Sequence, residues 1–186
     1  MSLIANVKQY FFQRRLLKEI EQRQVNYQSR AVNPATAKCV AVLFVADDPQ
    51  HRKVVESYRQ KRKKEGLRTE LLGFFVTPIN DAGVNFDHFT SKDLNWYGVP
   101  GGNYVDKFLA RSCDLLITLG PAGHPQLDYL ASIKDTNLRV GPYTESFDNP
   151  YDVLYNTKNK TTEPHEQLNQ IEKIFKVTNA AAIAVI

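Results

Sequence analysis

One segment constrains the fold of this chain more than any other. Residues 39–46 read CVAVLFVA, an unbroken apolar run rich in valine. A strand with one face in water alternates apolar and polar residues. A continuous run of this length belongs instead to a strand covered on both faces, as in a parallel sheet. Asp47-Asp48-Pro49 follows at once. Aspartate as N-cap and proline at the first helical position form a strong helix start. The helix is expected to run to about Glu65 and to stop at Gly66, with Val54, Val55 and Tyr58 as its narrow apolar side.

Further β-rich segments recur along the chain. They are TELLGFFV (69–76), FDHFT (86–90), CDLLITL (113–119), NLRVG (137–141) and YDVLYNT (151–157). Helices are expected over 103–111, over 125–134 and after Glu163-Pro164. In the last of these, Leu168, Ile171, Ile174 and Phe175 make an apolar stripe at helical spacing. Residues 77–83 carry turn chemistry, and 91–102 read as irregular. Strands alternating with helices predict an α/β fold: one Rossmann-like, doubly wound, mostly parallel sheet of five to six strands with helices on both faces. The expected organisation is an N-terminal amphipathic basic helix in 1–30, a linker over 31–37 and the α/β domain over 38–186. The tail NAAAIAVI is expected to extend the final helix or to pack as an edge segment.

In the N-terminal helix, Leu3, Ile4, Val7, Tyr10 and Phe11 share one face. Further on, Arg14 and Lys18 fall on the line of that stripe, whereas Leu16 and Ile20 fall off it. The expectation is that the first three turns dock on the domain and the rest is partly exposed. The alternatives are a helix that binds a partner or lies on anionic lipid.

Charge is distributed unevenly. The whole chain is +4, but residues 1–30 carry six basic and two acidic side chains, and residues 51–70 carry eight and three. The basic group Arg52, Lys53, Arg59, Lys61, Arg62, Lys63 and Lys64, joined by Arg14, Arg15 and Lys18, forms a candidate surface for an acidic protein, RNA or an anionic membrane. No apolar run approaches the roughly 20 residues needed to span a bilayer. MSLIANVKQYFFQRR lacks the basic-then-apolar order of a secretory signal, so cytoplasm is the expected address. Cys39 and Cys113 are the only cysteines. Their spacing offers neither a metal motif nor a disulfide framework, and both read as small buried hydrophobes.

In an open α/β sheet, ligands bind beyond the carboxyl ends of the strands. Three loops fall there. The first holds Asp47 and Asp48, followed by His51, a pattern suited to acid–base work, to a divalent ion, or simply to capping the helix. The second holds Gly120, Gly123 and His124, where backbone N–H groups at a helix start can meet an anion. The third, around Asn95 and Trp96, offers an aromatic pair, Trp96-Tyr97, for stacking on a base or sugar. Together they form a candidate pocket for a nucleotide or a phosphorylated metabolite. No GxGxxG, GxxxxGK[ST], GxSxG, HExxH, CxxC or protein-kinase signature occurs, so no catalytic constellation or cofactor motif is legible.

The segments Cys113–Leu119, LDYLAS (127–132), LRVG (138–141), Tyr151–Leu154 and DLNWYG (93–98) together resemble an uncharacterised family of small α/β proteins from Bacteroidetes, known as a domain of unknown function. The resemblance covers about 38–175 and implies a bacterial protein with no assigned activity. Residues 113–141 are also similar to the amino-terminal Rossmann half of heptosyltransferase-type glycosyltransferases. Asp114–Leu119 and Arg139–Gly141 match that half's DLVIDL…RIG rhythm, with Thr118 in place of its acidic residue. The second half, which binds the sugar nucleotide in those enzymes, has no counterpart here. That likeness therefore implies a fold rather than an activity. The expectation is a binding module that works through its basic surface, the alternative being a small enzyme or sensor with the strand-end pocket.

Overall fold

The computed structural model describes residues 3–24, 36–79, 83–145, 149–156 and 163–183. Helix α1 spans Leu3–Gln24. Then come β1 (Cys39–Val45), α2 (Pro49–Lys64), β2 (Arg68–Phe75), β3 (Asp87–Thr90), a 3-10 turn (Ser91–Asp93), α3 (Asn103–Ala110), β4 (Cys113–Leu119), α4 (Pro125–Ile133), β5 (Thr136–Pro142), β6 (Val153–Tyr155) and α5 (Pro164–Ile183). The expected linker lies almost wholly outside the described residues, as do the last residues of the tail.

All six strands are parallel, in the order β3-β2-β1-β4-β5-β6. This is the doubly wound Rossmann order, with its switch point between β1 and β4. Central strand β1 pairs on both sides: Val42 sits opposite Leu71 of β2 and Ile117 of β4.

The apolar run of β1 divides between two cores. Ala41 and Leu43 face one side, where Leu72, Phe74, Leu116, Val105 and Phe108 of α3, and Leu127 and Leu130 of α4 gather. Val40, Val42 and Phe44 face the other, against Val55 and Tyr58 of α2 and Leu168, Ile171 and Phe175 of α5. A strand covered on both faces has no position for a polar side chain, hence the unbroken run. Asp48 caps α2 as expected, accepting from the Gln50 N–H at 2.7 Å with Pro49 next. Gly66, just beyond α2, adopts φ +82°, the left-handed conformation a helix stop requires.

Two details depart from expectation. The 91–102 segment begins with a capped 3-10 turn, in which Thr90 and Asp93 cap each other. More important, α1 docks through the other side of the helix. Phe12 and Leu16 pack onto the core over α4. Leu3 is 80%, Ile4 68%, Tyr10 57% and Val7 41% exposed. The stripe expected to dock therefore faces water.

Candidate functional site

At the switch point, β1 and β4 deliver the loops that hold Asp47 and His124. The Asp47 carboxylate accepts from the Val76 and Thr77 N–H groups at 3.2 and 3.4 Å, clamping the loop after β2. Asp48 is occupied as the helix cap. The His51 ring lies 3.9 Å from Asp48 and 3.6 Å from Glu163. His124 precedes Pro125 at the start of α4, edge-on to Phe74 at 5.4 Å. Its Nδ1 is buried without a hydrogen-bond partner. Burial lowers the pKa of its ring, and nearby Asp47 partly opposes this. Gly120 packs so closely that a Cβ would stand 3.2 Å from Leu127 and 3.3 Å from Val45, closer than ordinary contact, and its carbonyl accepts from Gln167 at 3.1 Å. Gly123 stands in open space with φ +70°.

Asn95 and Trp96 do not join this crevice. The Asn95 side chain accepts from the Tyr97 and Val99 N–H groups at 3.1 and 3.0 Å, closing its own turn. Trp96 is 57% exposed and stands 5.3 Å from the Phe11 ring of α1. Of the residues expected in a strand-end pocket, Asp47 and His124 come close enough to interact, whereas the aromatic pair lies against α1 instead.

The basic group also divides. Arg52 lies over Phe75 and donates to the Ala46 and Asp47 carbonyls at 2.7 and 3.0 Å. Arg59 pairs with Glu56 at 2.7 Å. Arg62 pairs with Glu65 and Glu172 and lies over Tyr58. These three arginines staple α2 to its surroundings, leaving Lys53, Lys61, Lys63 and Lys64 exposed. Helices α1 and α2 pack on opposite faces of the sheet, so their cations do not merge into one patch.

Two arrangements escape sequence reading. One is a groove of about 1000 Å³ beneath α1, walled by Phe12, Leu16, Ile20, Tyr97 and Tyr129, with Asp128 and Tyr151 at its polar end. The Tyr151 hydroxyl donates to Asp128 at 2.6 Å. Burial raises the Asp128 carboxyl above its usual value, and raises Tyr151 strongly. The two residues are 23 apart in the chain, so no local motif could announce them.

The second arrangement corrects the reading of the cysteines. Cys39 and Cys113 are joined as a disulfide between β1 and β4, their Cα atoms 5.0 Å apart. Seventy-four residues separate them, and only the sheet order brings them together. Arg68 Nε donates to Cys39 Sγ at 3.3 Å. The neighbouring Glu70 side chain is 10% exposed, with Arg68 and Arg111 at 3.6 and 3.8 Å from Oε1. Its Oε2 is buried and has no hydrogen-bond partner.

Sheet order and flanking helices define a doubly wound α/β protein with an N-terminal helix that exposes several apolar side chains. The chain belongs to the DUF6913 family, a family of unknown function, whose model matches residues 8–177. None of the curated proteins compared with it matches. No described helix is long and apolar enough to cross a membrane.

Proposed function

We propose that this protein is a binding module that lays α1 on an anionic membrane surface. One observation carries the reading: the exposed side of α1 is apolar in its first half and cationic in its second. Leu3, Ile4, Val7 and Tyr10 are exposed there, with Phe11 beside Trp96. Arg14 and Lys18 continue the same line and are also exposed. Leucine, isoleucine and tryptophan can sit at the acyl boundary, and arginine and lysine further along the helix can meet anionic headgroups. Phe12 and Leu16 hold the opposite side on the domain, so the helix is presented without having to fold on contact.

Sedimentation with vesicles tests the reading. The protein should pellet with phosphatidylglycerol-containing vesicles and stay in solution with phosphatidylcholine alone, and added salt should weaken binding. Val7→Glu should abolish it. Failure to pellet with either vesicle overturns the membrane reading and leaves the surface to an acidic protein partner.

A nucleotide or phosphorylated metabolite at the strand ends is the second reading, and the partnerless Nδ1 of His124 favours it. Asp47 beside His124 weighs against a phosphate, which it would repel. An unmoved His124 ring resonance during titration with ADP and inorganic phosphate would remove this reading.

A further inference from the structure

We propose that, in the reduced protein, the amino-terminal ends of β1, β2 and β4 form a binding site for a thiophilic divalent cation of the zinc class, with Cys39, Cys113 and Glu70 as ligands. One ligand atom from each residue lies within 4.8 Å of the others. Two thiolates and a carboxylate are a donor set suited to zinc, with the fourth position left for water.

Two features support a site rather than a chance cluster. The first is Glu70. A carboxylate nine-tenths buried, with Oε2 lacking any hydrogen bond, is costly to keep, and a bound cation would supply the missing partner. The second is charge. Three anionic ligands around a divalent cation leave one negative charge in a buried place. Arg68 donates to the Cys39 sulfur, and both Arg68 and Arg111 flank the other Glu70 oxygen, so cationic groups stand beside that negative charge. The backbone also presets the site. The Asp114 carboxylate accepts from the Lys38 and Cys39 N–H groups at 2.7 and 3.0 Å, tying the start of β1 to β4.

The chemistry balances simply. A phosphine reductant attacks the disulfide, breaking the S–S bond, and water supplies its oxygen to form the phosphine oxide. The same water gives the two protons that the sulfurs take up as thiols. Cation binding then expels both protons as the thiolates form two metal–sulfur bonds.

The test uses the full-length protein reduced with a phosphine, its two thiols counted with a thiol reagent before titration with cobalt(II). The expected result is one equivalent bound, with a near-ultraviolet thiolate-to-cobalt band and intense visible bands of tetrahedral coordination. Zinc should bleach both. Cys113→Ser should lose the charge-transfer band, and Glu70→Gln should weaken binding at least tenfold while leaving the fold unchanged by circular dichroism. Absence of the bands in reduced protein overturns the proposal. So does a disulfide that resists reduction while the protein stays folded, and so does unaltered affinity in Glu70→Gln.

Discussion

Replacing Leu3 and Ile4 together by alanine separates a membrane-facing role of α1 from a packing role. The two side chains are 80% and 68% exposed, so little of either contributes to the folded core. Each substitution removes about three carbons, worth roughly 0.8 kcal/mol apiece if moved fully from water into hydrocarbon. An interfacial helix sinks only to the acyl boundary, and taking half of that transfer gives about 1 kcal/mol per side chain. The pair should therefore weaken binding to anionic vesicles by about 2 kcal/mol, roughly thirtyfold in the partition coefficient. Alanine is the best helix former, so the helix itself should persist. Urea unfolding should shift by no more than about 0.5 kcal/mol, as for an ordinary surface change. The assay is vesicle partitioning beside urea denaturation on the same preparation. Vesicle affinity changing less than about threefold would refute the reasoning. A stability loss above about 2 kcal/mol would also refute it, because these side chains would then belong to a packed interface.

Further substitutions probe the scaffold. Lys134 is fully buried, and its ammonium donates to the Phe108 and Arg111 carbonyls at the end of α3, over the Phe108 ring. Lys134→Met orphans those carbonyls and should cost about 3 kcal/mol in urea unfolding; an unchanged midpoint would contradict this role. Gly141 faces the Tyr151 ring so closely that a Cβ would stand 2.4–2.5 Å from three ring carbons. Gly141→Ala should lower the melting temperature by several degrees, and truncation of Tyr151 to alanine should relieve the clash; a wild-type melt in the single variant would refute it. Asp128 has its folded pKa raised, mainly by burial. Its contribution is complete below the unfolded pKa of about 4 and is lost as pH rises through the folded value. Asp128→Asn should therefore fare better relative to wild type at pH 7 than near pH 4, and a difference independent of pH would count against the burial.

The parts legible in the sequence are those where one short segment carries its own signal. The 39–46 run, the Asp48-Pro49 helix start and the Leu168–Phe175 stripe each became the element expected of them. The six-stranded parallel sheet follows from their alternation, but its order does not, since order is set by long-range packing. Helix α1 shows a limit of periodicity. It carries two apolar faces, Leu3-Val7-Phe11 and Phe12-Leu16-Ile20, and spacing alone does not say which one meets the core. The site residues were harder still. Arg52, Arg59 and Arg62 look like a cationic surface in one dimension, but they are folded onto carbonyls, carboxylates and rings in three. The Cys39–Cys113 pair and the Asp128–Tyr151 bond join segments far apart in the chain, and no local pattern encodes such meetings.

Trp96 offers the most direct test of the membrane reading, because it is the only tryptophan in the chain and stands against Phe11 on the surface in question. Its emission should be recorded as anionic vesicles are added, and again with vesicles whose acyl chains carry bromine. Membrane docking through α1 predicts a shift to shorter wavelength and quenching by the brominated chains, both lost in Val7→Glu. An emission spectrum that neither moves nor quenches, at lipid concentrations where the protein pellets or fails to pellet alike, would contradict it.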